Sequence, residues 1–347
     1  MKTLPLKLLV FLLLIPFGLN AGQVKGKYTK EKKIQKVYLV NPDAGLEVGN
    51  QYGNIYVTTW NESKTSIDVV IKVSGNNEDQ VNKRINGIDV RLNATKGLVA
   101  CKTDISSSNS RTNIEINYTI KIPKNGSIVL HNQYGNIVLG DIKGHSELKC
   151  EYGNIQASQL NNVIAKLEYC NGSDIGYIYD GEIKAEYSNL TIEKAYKAFI
   201  KSSYSNINIK EVDKIIFDSE YGDIKITDAG FVSGNSNYIG IKLGTISEAL
   251  TIKANYGNID IKEIKQSTNS VSVMCTYTNI NINFNENYAY NFEFDLQYGS
   301  LRGSNNLNFT EKNIRNTSAN YKGYYKKNGA NKVYITSQYG NINLGRN

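Results

Sequence analysis

Hydrophobic and polar residues alternate along most of this chain, and the alternation breaks at regular intervals on a tyrosine. Four positions before these tyrosines stand Leu148, Ala165, Ile183, Ile200, Phe217, Ile252, Val273, Phe294 and Ile335. Two before stand Cys150, Leu167, Ala185, Ser202, Ser219, Ala254, Cys275 and Leu296, which are mostly small. Three after come Ile137, Ile155, Leu190, Ile207, Ile224, Ile241, Ile259 and Ile280. Five after come Leu139, Ala157, Ile192, Ile209, Ile226, Leu243, Ile261 and Ile282. Columns two residues apart follow the strand period, so each pair predicts a short strand with one buried face.

The breaks themselves repeat. Tyr-Gly-Asn-Ile occurs at 52–55, 134–137, 152–155, 256–259 and 339–342, with looser copies starting at Tyr187, Tyr204, Tyr221 and Tyr277. From Tyr134 the tyrosines fall at 152, 169, 187, 204, 221, 238, 256, 277 and 298, in steps of 17 to 21 residues. A unit that short cannot hold a strand, a crossover helix and a second strand, but it can hold one coil of a solenoid. The pattern predicts an all-β fold: a single-stranded parallel β-helix with rungs of 17–18 residues and an irregular β-rich N-terminal cap. Nine steps from Tyr134 to Tyr298 imply a regular stretch of roughly 43 Å at the inter-strand spacing.

The corner is expected at Gly-Asn, because both residues tolerate positive φ. Parity places the tyrosine on the core side of its strand, with rings of successive rungs stacked. The resulting structural ladder comprises Tyr134, Tyr152, Tyr187, Tyr204, Tyr221 and Tyr256, with Asn136, Asn154, Asn189, Asn206 and Asn258 as a second column. Asparagine amides can bond along such a stack and cover backbone groups freed by the turn. An aromatic sugar-binding strip is the competing reading of the same tyrosines. Between the inward columns lie Lys149, Lys166, Lys184, Lys201 and Asp218, and two residues further on Glu151, Glu168, Glu186, Ser203 and Glu220. These predict a solvated face on which the lysines offset repulsion between stacked glutamates.

Residues 1–21 read as a secretion signal: Lys2 and Lys7, an apolar run from Leu8 to Phe17, and a cleavage site near Ala21. The run is too short to span a bilayer, and no cysteine suits lipid attachment there. Export to the periplasm, cell surface or medium is therefore expected. Residues 22–127 form a β-rich N-terminal region with a first rung, Leu46 to Trp60, and a short helix from Asn77 to Ile85. Ile114 to Pro123 reads as a strand ended by proline. Residues 128–347 form the solenoid; an asparagine-rich stretch at 303–332 is expected as a surface excursion before a final rung.

Removing Lys2 and Lys7 lowers the formal charge from +8 to +6. The excess concentrates in Lys25 to Lys33, expected as a solvated tail able to touch an anionic envelope or polysaccharide. Nucleic acid is not expected as a partner, since no recognition motif is present. Cys150 and Cys275 hold the same inward slot seven rungs apart, roughly 34 Å, beyond disulfide reach. With Cys101 and Cys170 they read as buried free thiols.

Leu46 to Trp60, Tyr118 to Pro123 followed by Gly126, Gly323-Tyr324-Tyr325 and the tyrosine series through Ile342 together resemble an adhesin-like family of exported bacterial β-solenoid proteins without assigned function. The resemblance covers nearly the whole mature chain. It implies the solenoid fold and a surface role, and it supplies no catalytic residues.

Candidate chemistry is sparse. His131 and His145 are the only histidines, and their spacing fits no familiar metal motif. Nucleophile-elbow, zinc, phosphate-loop and calcium-repeat motifs are absent, so no catalytic, metal or cofactor-binding residue is assigned and no cofactor is expected. Asp218, Glu220 and Asp223 form the densest acidic group; a β-helical polysaccharide lyase or hydrolase would need such carboxylates over one groove. The reading favoured by the sequence is a non-enzymatic adhesin-like protein binding envelope or extracellular glycan or protein through flat faces or loops. A periplasmic structural or stress-response component is the alternative, with the lyase or hydrolase third.

Overall fold

The structure, a computed structural model, describes residues 26–107 and 111–346. The expected leader, with Lys25, lies outside the described residues. The described part begins with β1 (Tyr28–Leu39), then β2 (Gly45–Gln51), β3 (Ile55–Trp60) and β4 (Lys64–Gly75). Helix α1 (Glu78–Asn86) follows, capped by Asn77, whose side chain accepts from the Gln80 N–H. Acidic Glu78 and Asp79 lie in its first turn and basic Lys83 and Arg84 in its last, as the helix dipole favours. Next come β5 (Ile88–Ala94), β6 (Leu98–Ile105), β7 (Thr112–Pro123) and β8 (Ile128–Gln133). The repeating part comprises β9 (Ile137–Glu151), β10 (Ile155–Glu168), β11 (Ser173–Glu186), β12 (Asn189–Ile264) and β13 (Ser270–Phe284). The C-terminal part holds β14 (Tyr290–Gln297), β15 (Leu301–Arg302), β16 (Asn308–Ile314), β17 (Ser318–Tyr325), β18 (Asn331–Gln338) and β19 (Ile342–Arg346).

The fold is a β-solenoid. Parallel registers put Lys149 beside Lys166, Lys166 beside Lys184 and Lys184 beside Lys201. Every residue of the four inward columns is buried, and two further columns join them. One lies six residues before the tyrosine, with Val163, Ile215, Val232, Leu250 and Val271; the other follows it by about eight, with Ile142, Leu160, Val212 and Ile246. Side-chain volumes compensate between rungs. At Gly234 a Cβ would stand 2.1 Å from the ring of Phe217, so the glycine makes room for the phenylalanine below it.

Both ends depart from sequential stacking. At the N-terminal end β2 and β3 are sandwiched between the later β6–β7 rung and the β8–β9 rung. At the C-terminal end β18 and β19 insert between β13 and the earlier β14–β15 rung. The last stretch of chain is therefore the penultimate rung in space. The 303–332 stretch, expected as a surface excursion, contains the β16–β17 hairpin, whose β17 pairs antiparallel with β14. Its backbone pairing closes the open edge of β14, satisfying groups that would otherwise face solvent. The opposite edge is closed by β4 on β7 and β1 on β4, both antiparallel. The basic segment expected as a tail is thus largely the edge strand β1, and lysines on an edge discourage pairing with another chain.

The corner also differs from expectation. The residue at left-handed φ is the tyrosine itself, with φ between 49° and 61° at Tyr52, Tyr134, Tyr152, Tyr169, Tyr187, Tyr204, Tyr221, Tyr238, Tyr256, Tyr277, Tyr298 and Tyr339. That backbone swings the ring out of the alternation and onto the surface. The following glycine answers a different demand: at Gly135 a Cβ would lie 1.9 Å from the Gly53 carbonyl oxygen of the neighbouring rung. Where serine replaces it, the hydroxyl becomes part of the ladder, Ser188 Oγ accepting from Cys170 N–H and Ser205 Oγ from Ser188 N–H, both at 3.0 Å.

Candidate binding surface

The tyrosines form one surface ridge. In spatial order the rings run from Tyr52 through Tyr134, Tyr152 and onward to Tyr277, then Tyr339, then Tyr298, with centroids 4.7–5.3 Å apart. Eleven steps give a ridge roughly 53 Å long at the inter-strand spacing. The insertion of Tyr339 adds one rung to the distance expected between Tyr134 and Tyr298. Each ring remains about half exposed, from 39% for Tyr52 to 52% for Tyr298. The exposed parts are edges, because the faces cover one another. A sugar that stacks on an aromatic face finds none free along the ridge. Burial by neighbouring rings, with adjacent phenols and glutamates, holds the Tyr152 and Tyr221 hydroxyls above the ordinary tyrosine range.

The asparagine column runs beside the ridge. Asn136 N–H donates to Asn54 Oδ1 at 2.8 Å and Asn154 N–H to Asn136 Oδ1 at 2.9 Å. Asn206 Nδ2 donates to Asn189 Oδ1 at 2.9 Å, and Asp223 N–H to Asn206 Oδ1 at 3.2 Å. Asn258 lies in register with Asn279, whose Oδ1 accepts from Asn341 N–H at 3.0 Å. The side-chain carbonyl thus supplies an acceptor that the turned backbone no longer offers. The ladder is interrupted above Asn154, whose Oδ1 has no partner among the described residues. The next corner carries an extra residue, Cys170-Asn171-Gly172-Ser173, and Ser173 Oγ accepts from Ile155 N–H instead.

On the other side of the ridge lie the two outward columns of the preceding strand. In the N-terminal half they are ionic: Lys149–Glu151 and Lys166–Glu168 are close ion pairs, and Lys184 Nζ stands 2.6 Å from Glu186. The Lys184 ammonium, then Lys166, pulls the Glu186 carboxyl below its ordinary range. Glu168, then the neighbouring glutamates Glu186 and Glu151, push the Lys166 ammonium up. In the C-terminal half the chemistry changes. The column next to the tyrosine continues through Asn237 and Asn255 to Thr276, Gln338, Gln297 and Ser318. Its partner column runs Lys253, Met274, Thr336, Asp295, Asn320, Asn313. Both columns enter a trough of about 820 Å³ formed where the β16–β17 hairpin continues the sheet. Asn320 Nδ2 donates to Asp295 on its floor. The adjacent Thr336 hydroxyl is buried without a partner among the described residues.

The remaining candidates stay apart. His131 and His145 are exposed on β8 and β9. Asp218 and Glu220 border a pocket of about 280 Å³ with Lys184, Glu186 and Lys201, while Asp223 lies beyond the corner. No three His, Cys, Asp or Glu side chains gather as a metal group among the described residues. All four cysteines are buried and unbridged. Burial pushes the Cys101 thiol up to about 12. The Cys170 thiol donates to the Cys150 carbonyl oxygen at 3.3 Å across one rung, and the neighbouring Cys170 side chain, with burial, raises the Cys150 thiol. The trough was not legible as a site beforehand, although the exchange of Lys and Glu for Asn, Thr and Gln along two aligned columns was its signal.

The sequence matches the family described as Toastrack DUF4097 over residues 22–345. No curated protein matches it. Among solved structures it is similar to an adhesin candidate from Bacteroides fragilis, with 13% identity, 91% of this chain and 97% of that chain covered, and a TM-score of 0.34. An adhesin candidate from Parabacteroides distasonis shares 10% identity over 90% and 97% of the two chains, TM-score 0.38. A cell-adhesion candidate from Clostridium sporogenes shares 12% over 92% and 100%, TM-score 0.18.

Proposed function

The chain belongs to the Toastrack DUF4097 family, and from that premise we propose that it is an exported, non-enzymatic, adhesin-like protein that binds envelope or extracellular glycan or protein along its side. The observation that carries this reading is the arrangement of polar side chains. They stand in long exposed columns repeated from rung to rung, an order suited to an extended partner. Catalysis needs the opposite arrangement, with acid, base and stabilising groups converging within hydrogen-bond reach of one reacting atom. The exposed Asp218, Glu220 and Asp223 do not surround such a point.

The test is a pull-down of the mature chain with whole cells, envelope fractions and immobilised glycans. Retention on one of them is expected. Binding to none overturns the adhesin reading, and new reducing or unsaturated ends released from a glycan would overturn the non-enzymatic one.

A further inference from the structure

We propose that the C-terminal half of the side face, from Asn237 to the trough under the β16–β17 hairpin, is a binding site for a neutral linear glycan. This rests on the adhesin reading and names its ligand and its place. The argument begins with the contrast between the two halves of one continuous face. The column that carries the ion-paired glutamates Glu151, Glu168 and Glu186 carries amides and hydroxyls at Asn255, Thr276, Gln338 and Gln297, and the lysine column beside it continues as Lys253, Met274, Thr336 and Asp295. The backbone is the same in both halves, so solenoid geometry does not require the change.

Amides and hydroxyls both donate and accept, which suits sugar hydroxyls that do the same. A neutral polymer laid on the ionic half would have to displace water from charges without replacing it adequately. On the amide half it exchanges mostly neutral hydrogen bonds for others, with Lys253 on the track and Asp295, Lys312 and Arg315 lining the trough as the charged groups it meets. The columns repeat at the strand spacing, so a chain running along the solenoid axis meets equivalent groups on every rung. The exposed edges of Tyr256, Tyr277, Tyr339 and Tyr298 flank this track and offer phenol hydroxyls beside apolar ring carbons.

The trough gives the track an end. Asp295, held by the Asn320 amide, has acceptor capacity left for hydroxyls. Next to it the buried Thr336 hydroxyl is unpartnered among the described residues. The trough is also lined by Asn313, Ser318 and Gln338, whose amides and hydroxyl can meet sugar hydroxyls. The trough is open to solvent along its length, with a volume of about 820 Å³, a shape that suits an extended chain lying in it.

The experiment measures binding of cello-, chito- and manno-hexaose to the mature chain by titration calorimetry, with polygalacturonate as an acidic comparator. Binding of at least one neutral hexaose is expected. Gln338→Ala with Gln297→Ala removes two amides from positions that are not buried, so folding should persist, as an unchanged melting curve would verify, and affinity should fall roughly tenfold or more. Asn320→Ala with Asn313→Ala, in the trough, should weaken binding similarly. Glu151→Gln with Glu168→Gln, in the ionic half, should leave it unchanged. A chain that binds cells, envelope or polygalacturonate but no neutral hexaose overturns the proposal and leaves the adhesin reading standing. Undiminished hexaose binding by both C-terminal double variants also overturns it.

Discussion

Replacing Tyr204 separates the two opposing energies held at each corner. Its ring stacks on Tyr187 at 4.9 Å and on Tyr221 at 4.7 Å, each pair within 4° of parallel. Each stack contributes about 0.5–1.5 kcal/mol beyond area burial, so removing the ring forfeits roughly 1–3 kcal/mol. Against this, Tyr204 has φ of 49°, and a left-handed backbone costs a residue with a Cβ about 1–2 kcal/mol. Tyr204→Ala loses the stacks and keeps the backbone penalty. Tyr204→Gly loses the stacks, relieves the penalty and returns about 0.4–1 kcal/mol of it through the greater freedom of the unfolded chain. The glycine variant should therefore be the more stable of the two by roughly 0.5–1 kcal/mol. Tyr204→Phe keeps ring and backbone and should match the parent within about 0.5 kcal/mol.

Urea unfolding followed by circular dichroism reads this order directly, provided the three variants share one slope against urea. Repeat proteins can unfold in stages, so the first transition involving the central rungs is the one to compare. An alanine variant as stable as the glycine variant would refute the left-handed corner as a source of strain. A phenylalanine variant as damaged as alanine would show that the hydroxyl, rather than the stack, stabilises the ridge.

Ile207→Asp puts a carboxylate at a position only 1% exposed and should destabilise the stack by several kcal/mol; an unchanged melting curve would contradict the inward assignment. The raised Tyr152 and Tyr221 pKa values give the folded state an advantage that is complete below the unfolded tyrosine value near 10 and lost as pH rises through the folded values. Stability should decline on the alkaline side as phenolates appear in absorbance, and a flat profile there would refute the coupling of ring stacking to ionisation. The four buried thiols should ignore an aromatic disulfide reagent until denaturant is added; rapid reaction in native buffer would show that the rungs open locally.

Much of the fold was legible because solenoid rungs repeat their errors as well as their rules. A single buried isoleucine is ambiguous, but Ile207, Ile224 and Ile259 at one phase of a constant period are not. For the tyrosines parity points to the core, whereas their rings stand half exposed. Parity assumes an unbroken strand, and Tyr204 sits where a left-handed residue resets which side faces the core. Tyrosine is a poor choice for that backbone in isolation, and only its neighbours on adjacent rungs make it favourable. That the excursion at 303–332 is a paired hairpin is hidden for a related reason. Its asparagines suggested a loop, whereas its partner strand is β14, and antiparallel pairing leaves no periodic trace in the partner segments. The trough inherits that difficulty, since it exists only once β14, β17 and β18 are adjacent.

The out-of-order rungs at the two ends are one solution to a weakness of linear stacks. A terminal repeat contacts a single neighbour, so it detaches at the energy of one interface while an inner repeat must break two. In this chain the rung nearest the C-terminus, carrying Tyr339, is held by β13 on one side and β14–β15 on the other. The rung carrying Tyr52 is likewise held by β6–β7 and β8–β9. Neither can fray alone. What lies outermost instead is a rung anchored in mid-sequence and sealed by antiparallel strands, β4 and β1 at one end and β17 and β16 at the other. The same insertion that stops fraying brings Thr336 and Gln338 beside Asp295 and Gln297, so the device that closes the solenoid also builds the trough.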